Sequence, residues 1–160
     1  MELSASTKMF QERMKRKGFS CNPVELPQGT RTSEDAARAV GCSLKQIAKS
    51  ILFRGRITGK PVLVVASGSN RIDEKKVGSI FGEPVEKADA DFVKESTGFS
   101  IGGVPPSCHI KKIPTLIDEE LLSQSEIWAA AGNPNSVFRL TPNELLKITE
   151  GKVADVKVCS

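Results

Sequence analysis

Apolar and polar positions alternate with several different periods along this chain, and the changes of period mark its elements. Over residues 4–17, Phe10 and Met14 stand four apart on one face, which predicts a helix that Gly18 stops and that docks as a lid. Residues 19–26 read as an extended segment leading into the polar turn Gln28-Gly29-Thr30-Arg31. Thr32-x-x-Asp35 then opens a helix through Val40, with close-packing alanines and Gly41 at its end. Ser43-Leu44-Lys45-Gln46 repeats the capping pattern, but its helix must be brief, because Ser50-Ile51-Leu52-Phe53 is already a strand run. Lys49 falls at that junction. A turn over 54–60 leads to Pro61-Val62-Leu63-Val64-Val65-Ala66, a continuous apolar run suited to a strand buried on both faces, so 50–66 predicts a central hairpin.

Two surface helices follow. Asp73, alone or in Asn70-x-x-Asp73, caps one through Phe81, and Asp89 caps the next through Ser96, with Gly82 and Gly98 as stops. A glycine-proline loop, Ser100-Ile101-Gly102-Gly103-Val104-Pro105-Pro106, precedes a short strand over 114–118 and a short helix over 119–122. Residues 127–131 and 136–140 read as strands joined by the turn Gly132-Asn133-Pro134-Asn135. Thr141-Pro142-Asn143-Glu144 is a helix start with N-cap, Pro at the first position and Glu at the third; Gly151 ends that helix, and 153–158 alternates as a last strand. The chain carries no internal repeat, low-complexity tract or linker. The pattern is that of a mixed α/β (α+β) fold in one compact domain, with residues 1–29 part of it.

Composition narrows the class. The chain has 160 residues, which fits one domain able to bury roughly two-thirds of its unfolded surface without staples. A hydrophobic fraction of 39% with 26% charged residues is globular, and no apolar run approaches the roughly 18 residues of a membrane span. Seven Phe, one Trp and no Tyr argue against an aromatic platform for single-stranded nucleic acid. Net charge is +4, and residues 1–20 hold five cations against Glu2 and Glu12. Such a run can attract phosphate, or it can be the solvated face of a helix. Cys21, Cys42, Cys108 and Cys159 form no Cys-x-x-Cys pair and His109 is the sole imidazole, so no metal site is expected and the reducing cytoplasm is the expected compartment.

The motif search removes further classes. Gly102-Gly103 lacks the third glycine and the Lys-Ser/Thr ending of a phosphate loop, and no Gly-x-Ser-x-Gly elbow is present. Adjacent Cys108 and His109 would point to opposite sides of an extended segment. There remain Lys49, able to reach a phosphate or carbonyl or merely to complement a helix end; a loop whose amides could meet an oxyanion or simply connect; and Asp118, able to bind an ammonium or to cap the helix after it.

Taken in order, Ile47-Ala48-Lys49-Ser50-Ile51-Leu52-Phe53, Gly98-Phe99-Ser100-Ile101-Gly102-Gly103-Val104-Pro105-Pro106, Leu116-Ile117-Asp118 and Ala130-Ala131-Gly132-Asn133-Pro134-Asn135-Ser136 resemble the YbaK/ProX family of aminoacyl-tRNA deacylases. That family is related to the editing domain inserted in bacterial prolyl-tRNA synthetases. The resemblance spans about residues 30–156, and residues 30–158 would form the editing domain. It implies a mixed, partly barrel-like sheet surrounded by helices, and hydrolysis of the ester joining a wrong, small amino acid to tRNA.

Lys49 matches the family's functional lysine, which holds the terminal phosphate or carbonyl region of the substrate. The 102–106 loop matches its Gly-x-x-x-Pro loop, so Gly102 and Gly103 are implied in oxyanion stabilisation and Val104 and Pro106 in substrate binding. Asp118 and Gly132 fall in its other pocket-lining motifs, and Asn135 and Ser136 in a turn that sets acyl specificity. Pro105 departs from the pattern by removing an N–H that some relatives donate. The implied mechanism needs no protein nucleophile and no cofactor. The implied partners are the acceptor end of mischarged tRNA and an aminoacyl-tRNA synthetase, with no membrane. Two alternatives stand beside it: a non-catalytic aminoacyl-tRNA or nucleotide-binding module of the same fold, and a generic basic RNA-binding domain resting on residues 13–17 alone.

Overall fold

The apolar run at 61–66 occupies the centre of the molecule. In a computed structural model that describes residues 3–30 and 32–159, it is strand β3 (Pro61–Ser67), whose residues from Val62 onward are all buried. Glu2 of the N-terminal charge count and Arg31 of the expected polar turn lie outside the described residues. β3 pairs antiparallel with β2 (Ile47–Gly55), from Ala48 opposite Ser67 to Arg54 opposite Pro61, which makes the expected hairpin. On its other edge β3 runs parallel to β5 (Thr115–Asp118), and β5 parallel to β8 (Lys152–Ala154). Beyond β2 lie β6 (Ile127–Ala130), β7 (Ser136–Leu140) and β1 (Val24–Glu25), giving the order β1-β7-β6-β2-β3-β5-β8 in one mixed eight-stranded sheet. β4 (Val85–Lys87) leaves this path and pairs antiparallel with the end of β2.

Among the described residues five α-helices cover the sheet, each started by a side chain that the sequence marks. They are α1 (Ala5–Arg16), α2 (Ser33–Val40), α3 (Glu74–Phe81), α4 (Ala90–Thr97) and α5 (Pro142–Thr149). Ser4, Thr32, Asp73, Asp89 and Thr141 each accept a hydrogen bond from a main-chain N–H of the first turn, and Thr32/Asp35 and Thr141/Glu144 do so reciprocally. Gly41, Gly82 and Gly98 end α2, α3 and α4 in the left-handed conformation. α5 differs: Glu150 takes that conformation at φ 52, and Gly151 instead lies against Ile117.

Three further differences have nonlocal causes. β2 begins at Ile47 because Ile47 and Ala48 pair with Trp128 and Ala129 of β6, and this puts Lys49 inside a strand rather than at a helix end. β4 carries one apolar residue and exists through its pairing with residues 53–55. The last strand stops at Ala154, after which only Lys157 bridges to Ile72.

The two faces of the β2–β3 hairpin bury different clusters. Ala48, Leu52, Leu63 and Val65 face the larger one, with Phe99, Val104, Ile117, Ala129 and Phe138. Phe53, Val62, Val64 and Ala66 face another, with Val77 and Leu116. α1 is no lid: Phe10 and Met14 are fully buried in the larger cluster, and the Phe10 ring lies 5.1 Å from that of Phe138.

Replacing Phe10 by Ala should therefore lower the unfolding free energy by about 3–5 kcal/mol in urea titration, the usual cost of removing a buried ring. Deleting residues 1–18 should abolish cooperative unfolding. Unfolding of Phe10→Ala at the wild-type urea concentration would refute this role for α1.

Candidate functional site

β2 is paired along its whole length on the β3 side, but on the other side only at its ends. β6 takes Ile47 and Ala48, and β4 takes Phe53 to Gly55, so among the described residues Lys49 to Leu52 have no strand beside them there. Main-chain groups alternate in direction along an antiparallel strand. Ile47 O and Gly55 N bond toward the hairpin side, to Gly68 N and Lys60 O, whereas Leu52 O and Arg56 N bond the other way, to Ala88 N and Pro84 O. The even-numbered Ser50 therefore directs its N–H and C=O into the gap between β6 and β4.

A cavity of about 350 Å³ occupies that gap. Because successive strand residues point to opposite faces, it has two unlike sides. One side carries Lys49, Ile51 and Trp128, with Thr32, Ser33 and Ala36 around the start of α2. The other carries Ala48, Ser50 and Leu52, with Ala88, Val93 and Ala129. Ile101, Gly102 and Val104 of the glycine-proline loop close over it, and Lys87 stands at its rim. Among the described residues two lysines line this cavity and no carboxylate does. Lys49 is half-buried and, among the described residues, its side chain makes no ion pair or hydrogen bond. Burial holds its pKa below the ordinary 10.5, the Lys87 charge lowers it further, and Glu34 and Asp118 act in the opposite sense.

The expected site residues separate into two groups. Lys49, Gly102 and Val104 come together in the cavity. Gly103 does not face it: its N–H closes a turn onto Ser100 O at 3.0 Å, and a methyl group there would stand 2.8 Å from the main chain of Asn133 and Pro134. Glycine thus lets the two loops touch, and the loop amides left for an incoming oxygen are those of Gly102 and Val104, since Pro105 and Pro106 have none. Pro106 is buried on the far side of the loop, toward Lys17 and Ile148.

Asp118 sits on the same face as Lys49 but two strands away, through Ala66. It is fully buried, and its carboxylate accepts from Ser67 N (3.1 Å), Asn70 Nδ2 (2.8 Å) and Glu120 N (3.0 Å). It caps the 3₁₀ turn Glu119–Ser123, the second of the two roles open to it in the sequence. Gly132 lies where a Cβ would meet Ser6 O at 2.8 Å, so it lets α1 approach. Asn135 shapes its turn, its O accepting from Leu26 N at 2.6 Å and its N–H donating to Asn133 Oδ1 at 2.8 Å. Ser136 is fully buried, accepts from Thr7 Oγ1 at 3.1 Å and donates to Glu25 Oε1 at 2.7 Å. Ser50, Lys87 and Trp128 line the cavity without having been expected there. Only Ser50 left a signal, a polar residue between Ala48 and Leu52 on a buried face.

The loop is held from behind. Arg13 Nη1 donates to Cys108 O at 2.8 Å, and Lys17 Nζ donates to Ser107 Oγ at 3.0 Å and Ile148 O at 3.1 Å. His109 Nε2 donates to Pro105 O at 2.7 Å, the carbonyl acceptor fixing that nitrogen as protonated. Burial pushes the Cys21 thiol up to about 12 and also raises Cys42 and Cys108, so none of these three is a thiolate nucleophile at neutral pH. Among the described residues no cluster of three or more His, Cys, Asp or Glu could hold a metal, and no helix is long and apolar enough to cross a membrane.

These features describe an α/β domain with a small, cation-lined cavity beneath a glycine-proline loop. The chain belongs to the aminoacyl-tRNA editing domain family, whose model matches residues 27–148. It is 36% identical over 130 residues to the uncharacterized protein YwhH of Bacillus subtilis (strain 168), covering 81% of this chain and 82% of that one. It is 30% identical over 126 residues to the "Putative Cys-tRNA(Pro)/Cys-tRNA(Cys) deacylase EbsC" of Enterococcus faecalis (strain ATCC 700802 / V583), covering 78% and 76% of the two chains. A crystal structure described as "a putative trans-editing enzyme for prolyl tRNA synthetase" superposes with a TM-score of 0.94 at 44% identity, over 99% of this chain and 100% of that one.

His109 gives a pH test of the loop's anchoring. Burial, and then the charges of Lys17 and Arg13, hold its pKa below the ordinary 6.5 against the opposing hydrogen bond to Pro105. Below that pH the unfolded chain takes up a proton that the folded protein resists, so stability falls as pH drops. The midpoint of thermal unfolding should decline from about pH 7.5 to about pH 5.5, above the range in which carboxylates titrate, and His109→Gln should flatten the decline. An unchanged slope in the variant would refute it.

Proposed function

We propose that this protein is a trans-acting deacylase that hydrolyses the ester between a small amino acid and the 3′ end of a mischarged tRNA. The observation that carries the reading is the cavity itself, in which Lys49, Lys87 and three residues of the glycine-proline loop converge and which no carboxylate lines among the described residues. Membership of the editing family and the deacylase and trans-editing descriptions of its relatives support it.

In this mechanism the acceptor end brings its terminal phosphate to Lys49 and Lys87. The aminoacyl group enters beneath the loop, with its carbonyl oxygen toward the Gly102 and Val104 amides. Water adds to the carbonyl carbon, and the oxyanion is held by those amides; one such donor is worth about 3 kcal/mol in the transition state. The tetrahedral adduct collapses by breaking the bond to the ribose oxygen, which takes up the proton released by the water. The vicinal ribose hydroxyl can relay that proton, and for a cysteinyl ester the substrate's own thiol can act. Gly103, Pro106, Gly132, Asn135 and Ser136 contribute by shaping the loops, and Asp118 by fixing the end of β5. An aminoacyl-tRNA synthetase is the second partner in this reading.

A non-catalytic aminoacyl-tRNA-binding module of the same fold is the competing reading. It is favoured by the loop's shortage of donors, with Gly103 N–H already bonded and two prolines following. Incubation with a panel of tRNAs mischarged with alanine, serine, threonine, cysteine and proline separates the two. Turnover of at least one ester is the expected result, and binding without turnover of any would establish the module instead. Lys49→Ala should lower kcat/KM by about 10²–10³-fold, the effect of losing one principal electrostatic contact. Near-wild-type activity in that variant would remove Lys49 from the site.

A further inference from the structure

Ser50 lies at the middle of the gap in the sheet, on the face shared by Ala48 and Leu52 and opposite Val65 of β3. Its Oγ is shielded from solvent, and among the described residues it is the one buried side-chain nitrogen or oxygen without a hydrogen-bond partner. Around it the cavity wall is built from Ala88, Val93, Val104 and Ala129, all buried and apolar. A hydroxyl left unpaired in such a place destabilises the fold, and alanine there would remove the penalty. The serine is therefore explained by a partner that arrives with the ligand.

The chemistry of the wall restricts what that partner is. Among the described residues no carboxylate lines the cavity, so an ammonium brought to this depth would be desolvated without compensation, and the substrate's α-amino group belongs toward the open side. The carbonyl oxygen belongs with the loop amides, and the phosphate with Lys49 on the opposite face of β2. What remains for Ser50 is a neutral polar atom on the amino acid's side chain, in a chamber walled by alanines and valines.

We infer that Ser50 is a specificity-determining residue whose hydroxyl pairs with a side-chain hydroxyl or thiol of the amino acid being removed, so that the site prefers serine, threonine or cysteine esters over their apolar counterparts. The inference rests on the deacylase reading above. A site built around a hydrogen bond discriminates strongly against the analogue that lacks the group, because the buried partner is then left unpaired.

The test uses the full chain and matched pairs of mischarged tRNA, seryl against alanyl and threonyl against valyl, which is isosteric. Wild type should show at least about tenfold higher kcat/KM for the hydroxylated member of each pair that it hydrolyses. Ser50→Ala, a small-for-small change in a strand, should lose about tenfold on the hydroxylated ester and leave the apolar one within about twofold, so that the ratio collapses toward one. Loss on both members alike would make Ser50 structural and overturn the inference, as would no change on either. Wild-type hydrolysis without discrimination would overturn it independently of any variant, while leaving the deacylase reading intact. Hydrolysis of no ester by the wild type would overturn both.

Discussion

A strand that keeps one partner along its whole length and has the other only at its ends is the constraint on which the rest of this structure turns. Between Ala48, where β6 stops, and Phe53, where β4 begins, the outer edge of β2 has no strand against it. An unpaired stretch of sheet edge exposes N–H and C=O groups that either bond to something or stay wet. Here it opens into the cavity. One consequence is geometric: Lys49 and Ser50, adjacent in sequence, serve opposite sides of one space, a charged side near the start of α2 and an apolar side against the larger core. A ligand long enough to span both, with an anion at one end and a small group at the other, fits this arrangement.

Holding the gap open requires its walls to be fixed from elsewhere, and α1 does much of this. Phe10 and Met14 anchor the helix in the core. From there Thr7 reaches Ser136, the Ser6 carbonyl lies against Gly132, and Arg13 and Lys17 reach the segment behind the glycine-proline loop. The positive charge concentrated near the N-terminus is thus partly committed to carbonyl and hydroxyl acceptors inside the protein. Of the cations in 13–17, Lys15 and Arg16 stay exposed without such a contact, whereas Arg13 and Lys17 are tied to the loop. The cations placed to meet an anion inside the cavity, among the described residues, are Lys49 and Lys87, and a partly buried charge is screened less than one on an open surface.

Much of the fold was legible because its signals are local. Ser4, Thr32, Asp73, Asp89 and Thr141 cap helices through residues two or three positions away, and the apolar run of β3 announces a strand with both faces covered. What the sequence did not disclose depends on partners far along the chain. Lys49 looked like a junction residue because the β6 strand that lengthens β2 comes some 80 positions later. Asp118 and Ser136 were implied as pocket residues by the family resemblance. Their acceptors and donors, Ser67, Asn70, Thr7 and Glu25, are brought to them only by the tertiary fold. Within the site, the lysine and the outer part of the loop were legible through their motifs. Lys87 was not, because it belongs to a three-residue strand that exists only through its pairing with β2.

The loop shows how rigidity can replace donors. Two consecutive prolines remove two amides that could have met an oxyanion, and Gly103 commits a third to Ser100. The same residues fix the backbone, which is further tied by His109 at Pro105 and packed against the Asn133–Pro134 turn. An amide that is already aimed loses little entropy when the oxygen arrives and needs no reorganisation as charge develops. Two amides held in place therefore stabilise developing charge without first being ordered. The same loop lays Val104 over the apolar side of the cavity, so the segment that would stabilise the oxyanion also walls the chamber that the amino acid would enter.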